Sequence, residues 1–411
     1  MVQCVTGELL SVAAARDAVL ARAGGTLPAE AVSLDAALGR VLGQRVIAPE
    51  DVPGFDNSAM DGFAVRAADT AGAGPGSPVT LALAEESRAG APAAGTLGAG
   101  EAFRISTGAA LPDGADAVIR CEEASEDGGS ISFEVAVAAG RDIRRAGEDI
   151  RRGEEVLGPG VLLGPAELGV LASAAVAKPQ CVRRPRLAVV CTGDELLAAD
   201  EPMRPGGVRN SNAHTIPALA RMAGADIVSV ERVEDERAAT ESALAAAIEA
   251  ADVTVACGGV SVGEHDHVKA ALAALGCEEV FWGVALRPGR PTWFGADPNG
   301  GLVFGLPGNP VSAYVTFVLF VRPALRALTG AEERRDATSA ALTADHPRLP
   351  RRDQAVRCSL ELADDGWHAT PTGPQGSHVL TSILDADALA LVEAGPGFAA
   401  AGTRVRVELL R

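Results

Sequence analysis

The chain has 411 residues, of which 47% are hydrophobic, and this is enough for two to four domains with hydrophobic cores. Its formal net charge of −18, with no run of Lys or Arg, argues against a nucleic-acid backbone or an anionic membrane as a partner. The seven cysteines include no C-x-x-C pair and the N-terminus has no signal-peptide pattern, so we expect a cytoplasmic protein without a disulfide framework or a zinc site.

The first predicted elements are two helices, at 11–22 and 34–42, the second with Ser33 as its N-cap. A turn-rich loop at 53–66 follows them and is rich in carboxylates. Short strand-like runs bounded by Gly, Pro and Asp then predict an all-β insertion; they lie at 79–83, 103–107, 117–121 and 131–137. An arginine-rich segment at 141–152 closes the insertion, and it is typical either of a salt-bridged surface or of a site for an anion.

From residue 186 onward, strand-like apolar runs alternate with helical ones. The strands are predicted at 187–190, 227–230, 252–256, 280–282 and 302–304, and the helices at 213–222, 242–250, 268–275 and 311–328. This alternation predicts parallel strands whose carboxyl ends share one edge. The longest apolar stretch, 311–321, is too short to span a bilayer. Later runs at 355–362, 367–370, 389–392 and 405–409 predict a small antiparallel barrel or sandwich.

Three strands of the alternating region end in polar loops that contain glycine, at 192–195, 258–266 and 305–310. Parallel strands bring such loops to one edge of the sheet, where open α/β sheets bind ligands. In the middle loop, Glu264 stands where a nucleotide P-loop needs Lys, and Val260 stands where a dinucleotide-binding fold needs its second glycine. What remains is a glycine loop edged by the carboxylates of Glu264 and Asp266. We expect such a loop to bind a phosphate together with a divalent cation. For the middle loop alone, a plain strand-to-helix turn is the alternative.

Seven short motifs occur in one order along nearly the whole chain: FDNSAMDG at 55–62, RISTG at 104–108, RAGEDI at 145–150, TGDE at 192–195, GGVSVG at 258–263, GLPGNPVS at 305–312 and GSH at 376–378. In that order they resemble the molybdopterin molybdenumtransferase family, whose enzymes insert molybdenum in the last step of molybdenum cofactor synthesis. The resemblance implies that adenylylated molybdopterin and molybdate are the substrates, that Mg²⁺ is required and that AMP is released. It also makes the upstream molybdopterin adenylyltransferase a candidate partner.

The resemblance further implies an α/β plus β multidomain homodimer, in which a parallel α/β domain binds the pterin. The expected divisions are N-terminal helical and linking segments at 1–47, an inserted β domain at 48–152, a linking segment at 153–179, the α/β domain at 180–331 and a C-terminal β-barrel at 332–411. Nothing in the spacing forces Asp61 of the inserted domain against Asp266 of the α/β domain. The resemblance implies a dimer whose cleft joins the inserted domain of one subunit to the α/β domain of its partner, so we expect Asp61 to act in trans.

Functional residues follow motif by motif from the same resemblance. The implied catalytic residues are Asp61, Asp149, Glu195 and Asp266. The implied metal ligands are Glu195, Asp266 and, by a looser match, Asp235; two converging loops also favour Glu195 and Asp266, because a hard divalent ion takes oxygen ligands from more than one element. The implied substrate-binding residues are Thr107, Arg144, Gly258, Gly259, Ser261, Gly263, Arg287, Arg290, Pro307, Asn309 and Ser377.

Arg287 and Arg290 depart from the family, which usually has Lys in this segment. The positive charge is kept, but a planar guanidinium is a poor substitute for a Lys that donates a proton. We expect both arginines to neutralise the anionic substrate, and a surface turn is the alternative.

Two other functions remain open from the sequence. A molybdopterin adenylyltransferase shares the α/β domain, but it would not need the segments around Asp61 and Asp149. A non-catalytic scaffold on the same fold is the second alternative. Release of AMP from adenylylated molybdopterin only in the presence of molybdate would separate the three functions.

Overall fold

The structure is a computed structural model that describes residues 9–260, 267–331 and 337–410. Within these ranges the strands form three six-stranded sheets and five two-stranded pairs. The chain enters a central α/β domain with one helix and then passes through a linking region into an inserted β domain. It returns through the linking region, completes the α/β domain and ends in a barrel.

The first helix, Val12–Arg22, confirms the helix predicted at 11–22. The hydroxyl oxygen of Ser11 accepts a hydrogen bond from the N–H of Ala14 at 3.1 Å, so Ser11 caps the helix. The apolar face of the helix packs into the core of the α/β domain beside the helix Arg322–Thr329. The chain therefore contributes to the α/β domain before it forms the linking region.

The linking region is built from two segments that are far apart in the sequence. Its strands pair as Ala29–Ala31 with Gln180–Val182 and as Val46–Ile47 with Glu155–Leu157. The helix Pro165–Ser173 packs over a small apolar core made by both segments, which includes Leu42, Leu163, Leu171 and Cys181. The outgoing and returning segments thus hold each other at the base of the inserted domain.

The predicted helix at 34–42 is wrong beyond its first turn. The helix covers only Leu34–Ala37, and the Ser33 side chain makes no capping hydrogen bond to it. Leu38 is extended and Gly39 has a φ of +72°. Val41 and Leu42 instead form isolated bridges to the returning segment, so long-range pairing replaces the local helical pattern.

The inserted domain is a six-stranded sheet, which agrees with the predicted all-β insertion. In spatial order its strands are Ala117–Arg120, Gly62–Val65, Glu101–Ile105, Val79–Ser87, Ser130–Phe133 and Ala124–Asp127. Alternate residues of Gly62–Val65 enter different apolar clusters, with Phe63 on one face and Ala64 on the other. A short pair, Asn57–Ser58 with Ile143–Arg144, lies beside this sheet.

The α/β domain contains a six-stranded sheet whose first four strands are parallel. In spatial order its strands are Asp226–Val233, Arg186–Thr192, Val253–Cys257, Leu302–Leu306, Trp293–Ala296 and Glu278–Trp282. The helices of the domain that precede residue 310 are Asn212–Met222, Arg237–Ala250 and Val268–Ala274. The predicted strands and helices are therefore present, with ends that shift by a few residues.

The expectation of a wholly parallel sheet is wrong at one strand. Trp293–Ala296 runs antiparallel to both of its neighbours. The sequence DPNG at 297–300 forms the turn of a hairpin between this strand and Leu302–Leu306, and the Asp297 carboxylate accepts the N–H groups of Asn299 and Gly301. This turn signal was present in the sequence and was missed.

The helical run Pro310–Thr329 confirms the helix predicted at 311–328. Its middle, Phe317–Val321, is a π-helical turn in which the N–H of Arg322 bonds to the carbonyl of Phe317. Pro323 has no N–H for an ordinary helical bond, and this accounts for the local change of pattern. By length and composition this is the one helix of the described ranges that could cross a membrane, but 67% of its most apolar window is buried inside the protein.

The C-terminal domain is a closed ring of five strands, which decides between the predicted barrel and sandwich. The ring runs through Asp353–Ala363, Gly366–Pro371, Ala337–Leu342, Arg404–Leu409 and Ala388–Val392 and back to the first strand. The short strand Leu286–Arg287 of the α/β domain adds to the ring beside Asp353. The barrel and the α/β domain therefore share backbone pairing.

One buried carboxylate also joins these two domains. Glu408 lies on the last barrel strand, and its side chain is 3% exposed. It contacts Arg16 of the first helix at 2.9 Å, Arg322 at 3.3 Å and Arg406 at 2.7 Å. A buried carboxylate needs such partners. The cluster joins the first helix and the helix Arg322–Thr329 to the last barrel strand.

Candidate functional site

The three glycine-containing loops meet at one edge of the α/β sheet, as predicted. Their strands are adjacent and parallel, and Cys257 lies opposite both Cys191 and Leu306 in the ladder. A cavity of about 530 Å³ opens at this edge. Its described lining comprises Cys191, Thr192, Glu195, Leu196, Val208 to Asn212, Asp235, Cys257 to Val260, Pro291 and Pro307 to Pro310. This is the place where an open α/β sheet binds its ligand.

Two glycines form the wall of the cavity in conformations that other residues rarely adopt. Gly258 and Gly259 have φ values of +97° and +64°. A Cβ atom at either position would lie 3.0 Å from the hydroxyl oxygen of Thr192, and one at Gly259 would lie 2.7 Å from Val268. The N–H of Gly258 donates to the carbonyl of Leu306 at 3.0 Å, so it belongs to the sheet and is not free for a phosphate. These glycines are needed for close packing as well as for the shape of the cavity.

Two predicted metal ligands, Glu195 and Asp235, line the same cavity. The carboxylate of Glu195 folds against Gly193, where a Cβ would come within 2.6 Å of it. The carboxylate of Asp194 accepts a hydrogen bond from the N–H of Asp235 at 2.9 Å. This bond holds the loop of Asp235 against the loop that contains Glu195. In the part of the chain that the structure describes, no three His, Cys, Asp or Glu residues form a metal-binding group.

Several predicted residues fall in the segment 261–266. Ser261, Gly263 and Asp266, together with Glu264, lie outside the described residues. The third predicted metal ligand and the second half of the glycine loop therefore remain predictions.

The third loop contributes Pro307 and Asn309 to the cavity lining. Ser377, from the barrel, is not part of the lining, but its carbonyl accepts the N–H of Val311 at 3.2 Å. That N–H belongs to the first turn of the helix that follows the loop, where N–H groups have no partner inside the helix. The barrel thus contacts the backbone that directly follows the third loop.

The cavity also contains residues that the sequence analysis did not select. Asn212, at the start of its helix, donates from Nδ2 to the carbonyl of Gly308 at 2.8 Å and so joins the third loop to that helix. Asn210 accepts the N–H of Ala213 at 3.1 Å, and Arg209 precedes it in the lining. The sequence VRNSN at 208–212 is an ordinary start of a helix, so only its position after a glycine turn could have signalled a site.

Two thiols lie beneath the loops. Cys191 and Cys257 are buried neighbours on adjacent strands, and both border the cavity. The contact with Cys191, together with burial, raises the pKa of the Cys257 thiol well above its ordinary value. Cys257 is therefore a neutral thiol and not a nucleophile at physiological pH.

Arg287 and Arg290 are exposed and do not line the cavity, although Pro291 of the same segment does. Arg287 lies in the short strand that pairs with the barrel, and the carbonyl of Arg290 accepts the N–H groups of Val284 and Thr292. Among the described residues, neither guanidinium has an ion pair. The structure therefore leaves both charges unpaired within the described ranges, but it brings neither guanidinium into the described lining of the cavity.

The predicted residues of the inserted domain lie outside this cavity. One oxygen of Asp61 accepts the N–H of Thr107 at 2.7 Å and its hydroxyl at 3.0 Å. Arg144 pairs with Asn57 in the adjacent two-stranded ladder, and the exposed Asp149 donates its N–H to the carbonyl of Val52. No described residue of the cavity lining comes from this domain, and only Asp61 and Thr107 of the four are in direct contact.

Models of three protein regions match the chain in order. They are the MoeA N-terminal region (domain I and II) over residues 10–175, a probable molybdopterin binding domain over 188–327 and the MoeA C-terminal region (domain IV) over 339–410. The molybdopterin molybdenumtransferase of Bacillus subtilis (strain 168) is 37% identical over 387 residues, covering 93% of this chain and 90% of the relative. Molybdopterin molybdenumtransferase 2 of Mycobacterium tuberculosis (strain ATCC 25618 / H37Rv) is 38% identical over 386 residues, covering 92% and 94%.

Solved structures show the same relationship. Two crystal structures of the molybdopterin biosynthesis MoeA protein from Pyrococcus horikoshii match with TM-scores of 0.84 and 0.83 at 30% and 28% identity. Each match covers 98% of this chain and 100% of the other. The likeness therefore extends over the linking region, the inserted domain, the α/β domain and the barrel together.

Proposed function

Because this chain belongs to the molybdopterin molybdenumtransferase family, whose transferases insert molybdenum in molybdenum cofactor biosynthesis, we propose that it acts on adenylylated molybdopterin and molybdate and releases AMP. The observation that carries this proposal is the convergence of three polar loops on one cavity. The cavity is large enough for a heterocycle with a phosphate. Two carboxylates stand at the same edge of the sheet, so substrate anions need a cation beside them.

The donor atoms at this edge fit Mg²⁺. Glu195 and Asp235 supply hard carboxylate oxygens to one cavity, and Mg²⁺ is usually held by one or two carboxylates together with waters and substrate phosphates. Asp266 is the proposed third ligand. When bound, Mg²⁺ would neutralise charge that develops on the phosphates. The protein's own part is to hold the two acids in position, which the contact of Asp194 with the Asp235 backbone supports.

We assign the remaining polar residues to substrate binding. Arg287 and Arg290 would neutralise the anionic substrate, since their guanidinium groups are exposed and lack ion pairs within the described ranges. Pro307, Asn309, Gly258 and Gly259 would shape the wall around it; Ser261 and Gly263 belong to the same proposal from the sequence. Ser377 would act indirectly through the third loop.

We further propose a homodimer in the cytoplasm, in which the inserted domain completes a partner's cavity. Asp61, Thr107, Arg144 and Asp149 are then functional residues that serve the other subunit. None of these four residues is in the described lining of the cavity of its own chain, and this supports the arrangement. The upstream adenylyltransferase, which would supply the adenylylated substrate, is the proposed partner enzyme.

The test is release of AMP from adenylylated molybdopterin by the purified protein. We expect release to need both molybdate and Mg²⁺ and to be lost in Glu195→Gln, while circular dichroism shows an intact fold. Asp200→Asn is the control, because Asp200 is an exposed acid of the same segment outside the cavity lining. Equal AMP release without molybdate would contradict the proposal.

A further inference from the structure

Two buried polar atoms at the cavity have no hydrogen-bond partner. Among the described residues, the hydroxyl oxygen of Thr192 and Oδ1 of Asn212 are both unpaired, and each residue is only 7% exposed. Both residues line the cavity between the three loops. Leaving such an atom unpaired is unfavourable, so nearly all buried polar groups in proteins have a hydrogen-bond partner. Two unpaired atoms in one cavity point to a ligand that supplies the missing partners.

The orientation of Asn212 defines what the ligand must offer. Its Nδ2 donates to the carbonyl of Gly308 at 2.8 Å, so Oδ1 is the atom left over. A flipped amide would bring an oxygen against that carbonyl, which excludes the opposite orientation. An amide oxygen only accepts hydrogen bonds. The ligand group beside Asn212 must therefore be a donor, which the oxygens of an ionised phosphate or of molybdate are not.

Thr192 lies at the end of the strand Arg186–Thr192, where the backbone of Gly258 and Gly259 packs against its hydroxyl. A Cβ at Gly258 or Gly259 would lie only 3.0 Å from that oxygen. The two glycines thus pack against the buried hydroxyl with backbone atoms alone. Because a hydroxyl both donates and accepts, Thr192 can pair with either kind of ring atom.

We propose that Thr192 and Asn212 bind the ring edge of the pterin, with an N–H of the ring donating to Asn212 Oδ1 and a neighbouring ring atom bonded to the Thr192 hydroxyl. This rests on the proposed function, and it assigns the heterocycle of the substrate to these two residues. A pterin carries an amide-like edge in which N–H donors stand beside a carbonyl. Both residues lie within 188–327, the range that matches a probable molybdopterin binding domain.

The first experiment replaces the unpaired hydroxyl by a methyl group in Thr192→Val. The wild-type hydroxyl has no described protein partner, so this change should leave the melting temperature unchanged or raise it. Binding of molybdopterin, measured by direct titration, should weaken roughly tenfold, the loss expected for one buried hydrogen bond. Thr192→Ser keeps the hydroxyl and should bind within about twofold of wild type.

The matched control is Thr240→Val. Thr240 also carries a buried, unpaired hydroxyl, but it lies in the helix Arg237–Ala250 and does not line the cavity. This variant should change stability like Thr192→Val and leave molybdopterin binding unchanged. A stable Thr192→Val protein that binds molybdopterin like wild type would overturn the assignment.

Asn212 is tested by a pair of variants that share one defect. Asn212→Asp and Asn212→Ala both lose the bond to the Gly308 carbonyl, but only Asp keeps an acceptor oxygen. We expect the Asp variant to bind molybdopterin at least fivefold more tightly than the Ala variant, and equal binding would count against Asn212.

Binding of AMP to the same variants is titrated in parallel. If AMP binding weakens in Thr192→Val while molybdopterin binding does not, the site holds adenine and the proposal is wrong.

These measurements distinguish a failure of the proposed ring-binding site from a failure of the proposed reaction. Molybdopterin binding needs neither molybdate nor turnover, so it tests the ring site without testing molybdenum transfer. A wild-type protein that binds molybdopterin with the expected variant pattern, yet releases no AMP, would remove the proposed reaction and leave the ring site standing.

Discussion

At the scale of single residues, hydrogen bonds from Thr107 control the protonation of the Asp61 carboxyl group. The N–H and the hydroxyl of Thr107 both donate to one of its oxygens, and these bonds hold the pKa of the Asp61 carboxyl below its ordinary value. A carboxyl with a lowered folded pKa stabilises the fold above its unfolded pKa, and this contribution is lost as the pH falls through the folded value. Asp61 is therefore fully ionised at neutral pH.

Thr107→Val should raise the pKa of Asp61 part of the way back to its ordinary value. The change removes the hydroxyl donor but keeps the backbone donor, which is the larger cause of the shift. An NMR titration of the Asp61 carboxyl carbon measures the effect directly. Thr107→Ser retains the hydroxyl and should titrate like wild type, whereas an unchanged pKa in Thr107→Val would show that the hydroxyl bond has no influence.

Residues of the candidate site could be predicted from the sequence where the type of side chain itself indicates the chemistry, as a carboxylate does for a metal ligand. Glu195 of the TGDE motif and Asp235, the looser match, both line the cavity, while their role as metal ligands stays a prediction. Asn212 was not predictable, because its partner Gly308 lies 96 residues further along the chain. The sequence shows which side chains can form hydrogen bonds, but a bond between two distant loops appears only after the strands are paired.

Among the elements, the middle glycine loop gives a prediction about conformation. Gly259→Ala should lower the free energy of unfolding by about 1–2 kcal/mol from its positive φ alone, and by more because a Cβ there meets Val268 at 2.7 Å. Gly308→Ala is the control from the same cavity, since its Cβ would meet only Gly258 at an ordinary 3.6 Å. Urea unfolding of both variants provides the comparison. Equal losses of stability would contradict this account of the loop.

Elements with a strong local pattern were predicted well, and elements defined by pairing were not. The strands that end in the three loops follow from runs of buried apolar residues. The helix predicted at 34–42 fails after Ala37, because Val41 and Leu42 bridge to the returning segment. The antiparallel strand Trp293–Ala296 has only four residues and shows no alternation of its own.

For the whole molecule, the proposed shared cleft predicts complementation between two inactive chains. Asp61→Ala and Glu195→Ala should each abolish molybdate-dependent AMP release. In a purified mixed dimer one cleft receives both intact acids and the other receives neither, so about half of normal activity should return if the sites are independent. A mixed dimer no more active than its parents would exclude action in trans.

The buried cluster around Glu408 predicts where the whole molecule is most sensitive to loss of one charge. Glu408→Leu leaves Arg322, whose side chain is 12% exposed, without its carboxylate and should cost about 3–5 kcal/mol of stability. Glu361→Gln, at an exposed position of the same barrel, should change stability by less than about 0.5 kcal/mol. Thermal unfolding followed by circular dichroism measures both. A Glu408→Leu protein as stable as the control would show that the arginines find other partners.

The position of Arg404–Leu409 within the ring has a consequence for biosynthesis on the ribosome. This strand pairs with both Ala337–Leu342 and Ala388–Val392, yet it is translated after every other strand. Until it emerges, the nascent barrel has two unpaired edges, and such edges invite pairing with other chains. Arg16 is translated 392 residues before Glu408, so the buried cluster around Glu408 cannot form until this strand follows. A ribosome that stalls before residue 404 would therefore hold the barrel in an aggregation-prone form, with both of these edges unpaired.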